Sequence, residues 1–201
     1  MRRLYHLPLS PFCRKIRLVL AEKKLEVELV EEPVWEQRLD FLKLNPASKV
    51  PVLKTDNLIL ADSSAIFEYI EEVHPSPALL PEISSERAEA RRLTAWFDDK
   101  FNNEVTARLL YERVYKKLAR GGQPNSSMIK SGIKGLKFHL DYLDWILERR
   151  RWLAGDEMTI ADFSGAAHFS TLDYIGDIDW SRSGPIREWY EKIKSRPAFR
   201  C

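Results

Sequence analysis

Val50-Pro51-Val52-Leu53-Lys54-Thr55-Asp56-Asn57-Leu58-Ile59-Leu60-Ala61-Asp62-Ser63 is the stretch on which the fold of this chain turns. Its pattern predicts a strand at 50–55 entered through a proline, then a turn at Asp56-Asn57, two residues that tolerate positive φ. A second strand at 58–61 and a helix opening at Asp62-Ser63 complete the pattern. Proline has no N–H to give to a ladder, so it suits the first position of a strand and not its middle. A cis Val50-Pro51 bond would turn the chain sharply and leave the backbone groups of Val50 facing outward. The helix carries Ile66, Tyr69, Ile70 and Val73, and its first turn has unpaired N–H groups and a positive dipole that suit a carboxylate. Outward strand backbone beside a helix N-terminus can hold a small peptide by its main chain and its acid group.

Upstream, residues 2–6 and 27–31 read as strands. The helix between them, Pro11 to Lys23, sets Phe12, Ile16, Val19 and Leu20 on one face. Ser10 suits its N-cap and Pro11 its first position, where a missing N–H costs nothing. A short helix at 36–43 ends before Asn45-Pro46. The order strand-helix-strand-helix-strand-strand-helix is that of a thioredoxin-like α/β domain over residues 1–74. A Pro-rich linker follows at 75–84, and 85–201 reads as all-helical. There the stripe Leu93, Trp96, Phe97, Phe101, Val105 gives way to Leu110, Val114, Leu118, offset by one residue, which predicts a bend or a rotated face. Ile129, Ile133, Leu136, Leu140, Leu143 and Leu147 mark the next helix. Thr159 with Asp162 is a capping pair, stapled by Met158 and Phe163. The six tryptophans fall mostly at apolar positions and read as core.

With 32 basic and 30 acidic side chains the net charge is +2, too balanced for nucleic acid or an anionic membrane as the main partner. No apolar run reaches the roughly 18 residues that span a bilayer. Met1-Arg2-Arg3-Leu4-Tyr5-His6 begins in a strand pattern without a signal peptide's apolar region. Two cysteines, Cys13 and Cys201, imply no disulfide framework, and a cytoplasmic setting is expected. His6, His74, His139 and His168 form no ligand cluster, so no metal is expected.

Val50-Pro51 with Asp62-Ser63, Ser10-Pro11-Phe12-Cys13 upstream, and Leu153-Ala154-Gly155-Asp156 with Thr159-Ile160-Ala161-Asp162 downstream resemble, in order, the motifs of the glutathione S-transferase (GST) superfamily. The resemblance spans nearly the whole chain. It implies a GST fold, glutathione as ligand and a homodimer pairing the outer face of the 64–73 helix with the 85–119 helix of a second copy.

It also implies roles for particular residues. A dithiol redox enzyme of this fold would attack from position 10 and resolve at 13, and serine at 10 excludes that order. Ser10 would instead donate a hydrogen bond to the glutathione sulfur and, with the helix dipole, favour the thiolate. Ser10 is equally a plain helix cap. Cys13 sits in a first helical turn, where thiol pKa values fall, with Arg14 and Lys15 next to it; it reads either as a reactive thiol or as a small core residue. Ser63 would bind the γ-glutamyl carboxylate, Asp62 the ammonium and Lys49 the glycyl carboxylate. Val50 and Pro51 would present the strand backbone, and Trp35 would wall the pocket or cover the core.

Arg92–Phe101, Leu110–Val114, His139–Leu143, Leu172–Asp177 and Trp189–Pro197 are similar to a bacterial subgroup of GST-like proteins that bind the tubulin-like division protein FtsZ. That likeness implies action on FtsZ filaments with little or no transferase turnover. The alternative is a serine-type transferase conjugating glutathione to an electrophile. FtsZ is acidic as a family, so exposed lysines of the 92–118 helix, such as Lys116 or Lys117, are the expected contacts. The subgroup continues into a Pro-rich tail, where this sequence ends at Cys201.

Overall fold

Leu4 and His6 are buried while Arg3 is exposed and Tyr5 half-buried, the period-two pattern of a strand with one covered face. In the computed structural model, which describes residues 1–181 and 184–201, this strand lies inside a four-stranded sheet. The strands β1 (Arg3–His6), β2 (Glu28–Glu31), β3 (Val52–Lys54) and β4 (Ile59–Ala61) run in the order β2-β1-β3-β4. β2 is parallel to β1, β3 antiparallel to β1, and β4 antiparallel to β3. Helix α1 (Pro11–Glu22) makes the crossover that a parallel pair requires. α2 (Leu39–Leu44) precedes β3, and α3 (Ser63–Val73) follows β4. Leu4, Ile16, Val19, Leu20, Val52, Leu53, Ile66, Phe67 and Ile70 form the core of this unit. The thioredoxin-like order expected from the sequence is present.

The unit comprises Met1–Leu79 together with Pro197–Cys201. The returning segment closes as a 3₁₀ turn, Pro197–Arg200, and Arg14 of α1 holds it. The Arg14 guanidinium donates to the Phe199 carbonyl at 2.6 Å and to the Cys201 carbonyl, and lies 4.8 Å from the Phe199 ring centre. At the far end of α1, the Lys23 side chain is wholly buried. Its ammonium donates to the carbonyls of His74 at 2.6 Å and Pro77 at 2.7 Å and pairs with Glu71 at 2.8 Å. Glu71 in turn accepts the Leu79 N–H at 2.7 Å, so one buried cation organises the whole connector.

Several local expectations change. α2 begins at Leu39 and not at 36, because Val34–Glu36 close as a 3₁₀ turn and Gln37 takes φ 51°, outside helical space. Thr55 N–H bonds the Leu58 carbonyl at 2.8 Å to close the hairpin. Among the described non-glycine residues, positive φ falls at Lys24, Gln37, Ser48, Asp62 and Arg120, not at Asp56 or Asn57. The Val50-Pro51 peptide is cis, as expected, and so is Ser76-Pro77.

The second unit, Leu80–Arg196, is helical. Its first helix, α4, covers residues 84–118. It is α-helical at Ser84–Ala95, π-helical at Trp96–Thr106, α-helical at Ala107–Leu110, π-helical at Tyr111–Tyr115 and α-helical at Lys116–Leu118. Leu93, Phe97, Phe101, Val105 and Leu109 are all buried at a spacing of four. That spacing overruns the 3.6-residue α turn, and the wider i→i+5 turn keeps these residues on one face. Widened turns on both sides of Ala107–Leu110 stand where the offset predicts a bend or a rotated face. Leu110 is buried, but Val114 is only half-buried and Leu118 is 52% exposed, so the later apolar set is not core.

α5 (Ser126–Leu147) buries Gly132, Leu136, His139, Leu140, Leu143 and Ile146, a face rotated from the predicted one, and leaves Ile133 46% exposed. Gly132 is needed for this packing, since a Cβ there would lie 2.8 Å from Leu109 Cγ. α6 (Ile160–Tyr174) runs through the core and is held by the predicted cap. Asp162 accepts N–H groups from Leu153 at 3.0 Å, Thr159 at 2.8 Å and the Trp189 indole at 2.8 Å, while burial pushes its carboxyl up to about 6. α7 is Pro185–Lys194. Of the six tryptophans, Trp152 and Trp189 are buried, Trp35, Trp96 and Trp180 are half-buried and Trp145 is 53% exposed; the expectation of a mostly core set fails because several pack along surface seams.

Candidate functional site

Strand register brings the candidate residues of the sheet unit to one end of the sheet. Tyr5 pairs with Val52 and Val52 with Ala61, so His6, Pro51 and Asp62, each adjacent in the chain to one of these, lie at the same end of the three strands. The turn Leu7–Ser10 leaves β1 at this end, closed by Ser10 N–H to the Leu7 carbonyl at 3.1 Å. His6 pairs with Glu31, which carries the chain on to Trp35. That loop is tied to the segment before Pro51, because Gln37 Nε2 donates to Ser48 Oγ at 2.8 Å and Asn45 Nδ2 to the Lys49 carbonyl at 2.8 Å.

Asp62 is the N-cap of α3, accepting the Ser64 N–H at 2.7 Å. Its φ of 75° with ψ of 128° lies outside the usual regions for a residue with a Cβ. Such outliers cost of order 1–3 kcal/mol and cluster at ligand clamps. Asp62 is exposed and Ser63, the first residue of α3, is 5% exposed. Pro51 is buried, Val50 and Trp35 are half-buried, and Lys49 is exposed.

Ser10 is the N-cap of α1, its hydroxyl accepting the Cys13 N–H at 3.4 Å. Of the two readings of Cys13, its surroundings suit the small core residue. It is fully buried, and burial pushes the thiol up to about 11 despite the Ser10 hydroxyl and the Leu7 N–H at 3.5 Å from its sulfur. The cation that acts on it is Arg17, not Arg14 or Lys15. Arg14 faces the C-terminal segment instead, and Lys15 is 1% exposed.

Sequence reasoning missed Glu32 and Arg38. Glu32 is fully buried just past β2, its N–H bonded to the His6 carbonyl at 2.9 Å and its carboxylate 3.0 Å from the half-exposed Arg38 guanidinium. An acid closing a strand six residues before an arginine is the only hint the sequence carries. Lys116 also differs from expectation. It pairs with the buried Glu112 at 3.0 Å with a side chain 18% exposed, whereas Lys117 is exposed. Among the described residues no group of acidic, histidine or cysteine side chains is placed to hold a metal, and no helix is long and apolar enough to cross a membrane.

This sheet and its helical partner unit define a class. Residues 4–78 match the family model of the glutathione S-transferase N-terminal domain and residues 130–200 that of the C-terminal domain; the chain belongs to the glutathione S-transferase family. It is 44% identical to FtsZ-localized protein A of Caulobacter vibrioides, over 99% of this chain and 89% of that protein. A crystal structure of a glutathione S-transferase from Rhodospirillum rubrum F11 is 50% identical with a TM-score of 0.96, over 100% of this chain and 90% of that one. A glutathione S-transferase of Methylobacterium radiotolerans in complex with glutathione sulfonate is 26% identical with a TM-score of 0.81, over 99% of this chain and 92% of that one.

Proposed function

We propose that this protein is a division-associated member of its family that binds FtsZ filaments and turns glutathione over little or not at all. The observation that supports it is the 44% identity, along 99% of the chain, to FtsZ-localized protein A. In this reading the protein works in the cytoplasm as a homodimer. The outer face of α3 in one copy meets α4 of the other across at least ~1,000 Å². Glutathione lies at the sheet end as a ligand. Val50 and Pro51 present backbone to it, Ser63 takes the γ-glutamyl carboxylate, Asp62 the ammonium and Lys49 the glycyl carboxylate, with Trp35 as a wall. Ser10 points its hydroxyl at the sulfur, and Cys13 is packing.

The second reading is a serine-type transferase, favoured by the convergence of the pocket residues and by the 50% identity to the Rhodospirillum rubrum structure. The protein's contribution would then be to ionise and position a borrowed thiolate. Co-sedimentation with FtsZ filaments, run beside a glutathione conjugation assay, separates the two. Pelleting of wild type at low salt, unchanged in Ser10→Ala and reduced in Lys117→Glu, is the expected result. Lys117 is the cleaner probe, since Lys116→Glu would also break the internal pair with Glu112. No pelleting together with measurable conjugation returns the protein to the enzyme class.

A further inference from the structure

His139 is fully buried in the helical unit, and both of its ring nitrogens are engaged. The Trp96 indole nitrogen lies 3.2 Å from Nδ1, and Nε2 lies 3.0 Å from the Glu104 carboxylate. An indole N–H can only donate, and an ionised carboxylate can only accept. Nδ1 is therefore the acceptor, Nε2 carries the proton, and the imidazole between them is neutral. Trp96 and Glu104 both stand on the π-helical part of α4, a kind of turn that recurs at functional sites. Glu104 also accepts from Lys100, whose ammonium lies 5.6 Å from the Trp96 ring centre and 5.8 Å from that of Phe138. Trp96 is half-buried, with its ring 4.7 Å from that of Tyr142.

A second proton on this ring goes to Nδ1 and points at the indole N–H, so a hydrogen bond becomes a meeting of two donors. The same proton turns the Nε2–Glu104 contact into an ion pair. One interaction is lost as the other strengthens, and such opposed terms make a two-state element. Burial holds the imidazole below its ordinary range, and the Glu104 carboxylate opposes that shift. Lys100, first, and His139 hold Glu104 below the usual carboxylate range, so it stays ionised. The other charges around the ring are engaged elsewhere or turned away. On α5, Lys137 and Asp141 are two residues from His139 and so on the opposite side of the helix. α6 brings His168, T-shaped against Phe101 as His139 is, with Nδ1 2.9 Å from Thr106 Oγ1. On α7, Lys194 pairs with Asp173 at 2.8 Å and Arg187 with Glu191 at 2.9 Å, and Lys192 lies over the Trp152 ring.

We infer that His139 is an acid-sensitive latch for Trp96: the neutral ring ties the indole to α5, and the protonated ring lets it go to the outer surface of α4 and α5. That surface already carries aromatic rings. Phe138 is 55% exposed and Trp145 53%, and Tyr142 stacks at 12° on Trp145 beside Trp96. A freed Trp96 enlarges this apolar patch, so its capacity for contact grows as the pH falls. At neutral pH the latch is closed. The inference does not depend on FtsZ or glutathione as ligands.

The test is NMR of the full chain across a pH titration. The indole N–H signal of Trp96 is identified by its loss in Trp96→Phe, and the His139 Cε1 proton by its loss in His139→Asn. On acidification the indole proton should move upfield as its acceptor is lost, with a midpoint that matches His139 and lies below about 6.5, the ordinary imidazole value. His139→Asn keeps an acceptor where Nδ1 stood and cannot be protonated, so there the movement should vanish. Glu104→Gln removes the charge that favours the protonated ring, so the midpoint should fall. Thermal melts show which variants are folded, and Glu104→Gln, at a half-exposed position, keeps the test open should His139→Asn melt early. The inference is overturned if His139 titrates while the indole signal stays still, or if folded His139→Asn shows the same movement. An unchanged midpoint in Glu104→Gln overturns it as well, and so does a ring that stays neutral down to about pH 5 or until the fold is lost.

Discussion

Replacing Lys23 by methionine keeps the length of its stem and removes only the ammonium. The wild-type ammonium satisfies the carbonyls of His74 and Pro77 at 2.6 and 2.7 Å and pairs with Glu71 at 2.8 Å, on a side chain with no exposure. The Glu71 side chain is 12% exposed. Breaking a buried pair on one side costs about 3–5 kcal/mol, because a charge stays behind without its counterion. With a urea m-value of roughly 2 kcal/mol/M, the unfolding midpoint should fall by roughly 1.5–2.5 M. Circular dichroism in urea measures it. A second change, Glu71→Met in the Lys23→Met background, should restore part of the loss by removing the carboxylate that Lys23 pairs with, but not all, since the Leu79 N–H loses its acceptor. A drop below about 0.3 M, or a double variant weaker than the sum of the two single changes, would show that the connector is held by something other than this cation.

Other expectations concern the site and the thiols. Ser63→Ala should weaken glutathione binding by roughly 1–3 kcal/mol, the scale for hydrogen bonds to a charged group. Ser10→Ala should leave affinity nearly intact and raise the pKa of the bound thiol; calorimetry and thiolate absorbance read the two, and equal affinity losses would show that the roles are wrongly divided. With its thiol at about 11 and no exposure, Cys13 should resist iodoacetamide in the native protein while the exposed Cys201 reacts, as read by peptide mass spectrometry. Comparable labelling of both would refute the burial argument. Burial raises Asp162 to about 6 in the fold, above its usual value near 4. Its titration therefore stabilises the native state at acid pH, and that contribution is lost as pH rises through 6. The stability of wild type relative to Asp162→Asn, measured by unfolding curves, should therefore fall as pH rises from 4 to 7; a stability difference that is flat between pH 4 and 7 would contradict the assignment.

Local pattern made some elements legible and left others hidden. Ser10-Pro11 marks the start of α1, and Thr159 with Asp162 the start of α6, because caps are read from neighbours in sequence. The β3–β4 hairpin is legible from its proline entry and its Asp56-Asn57 turn, yet its unusual backbone falls at Asp62 and not in the turn, since the demand for positive φ comes from how β4 enters α3. The one-residue offset in α4 was a true signal of irregularity; widened turns rather than a bend could not be foreseen, because they depend on packing against α5 and α6. The choice between the two readings of Cys13 is hidden for the same reason. Its chain neighbours argued for a low pKa, while its tertiary neighbours remove water and raise it. Glu32 with Arg38, and Lys23 with Glu71, are pairings across loops and elements that periodicity does not report.

The return of Pro197–Cys201 to the sheet unit matters during synthesis. Residues up to Leu79 leave the ribosome first, but the segment that Arg14 grips is made only after the helical unit has been translated. At about 5–20 residues per second that interval is roughly 6–24 s. Through it Arg14 of the nascent α1 lacks the Phe199 and Cys201 carbonyls it later holds, and the ring of Phe199 has yet to cover it. An expression fragment cut after Leu79 would stay in that unfinished state permanently, and supplying residues 197–201 through a short linker after Leu79 is the way to complete it.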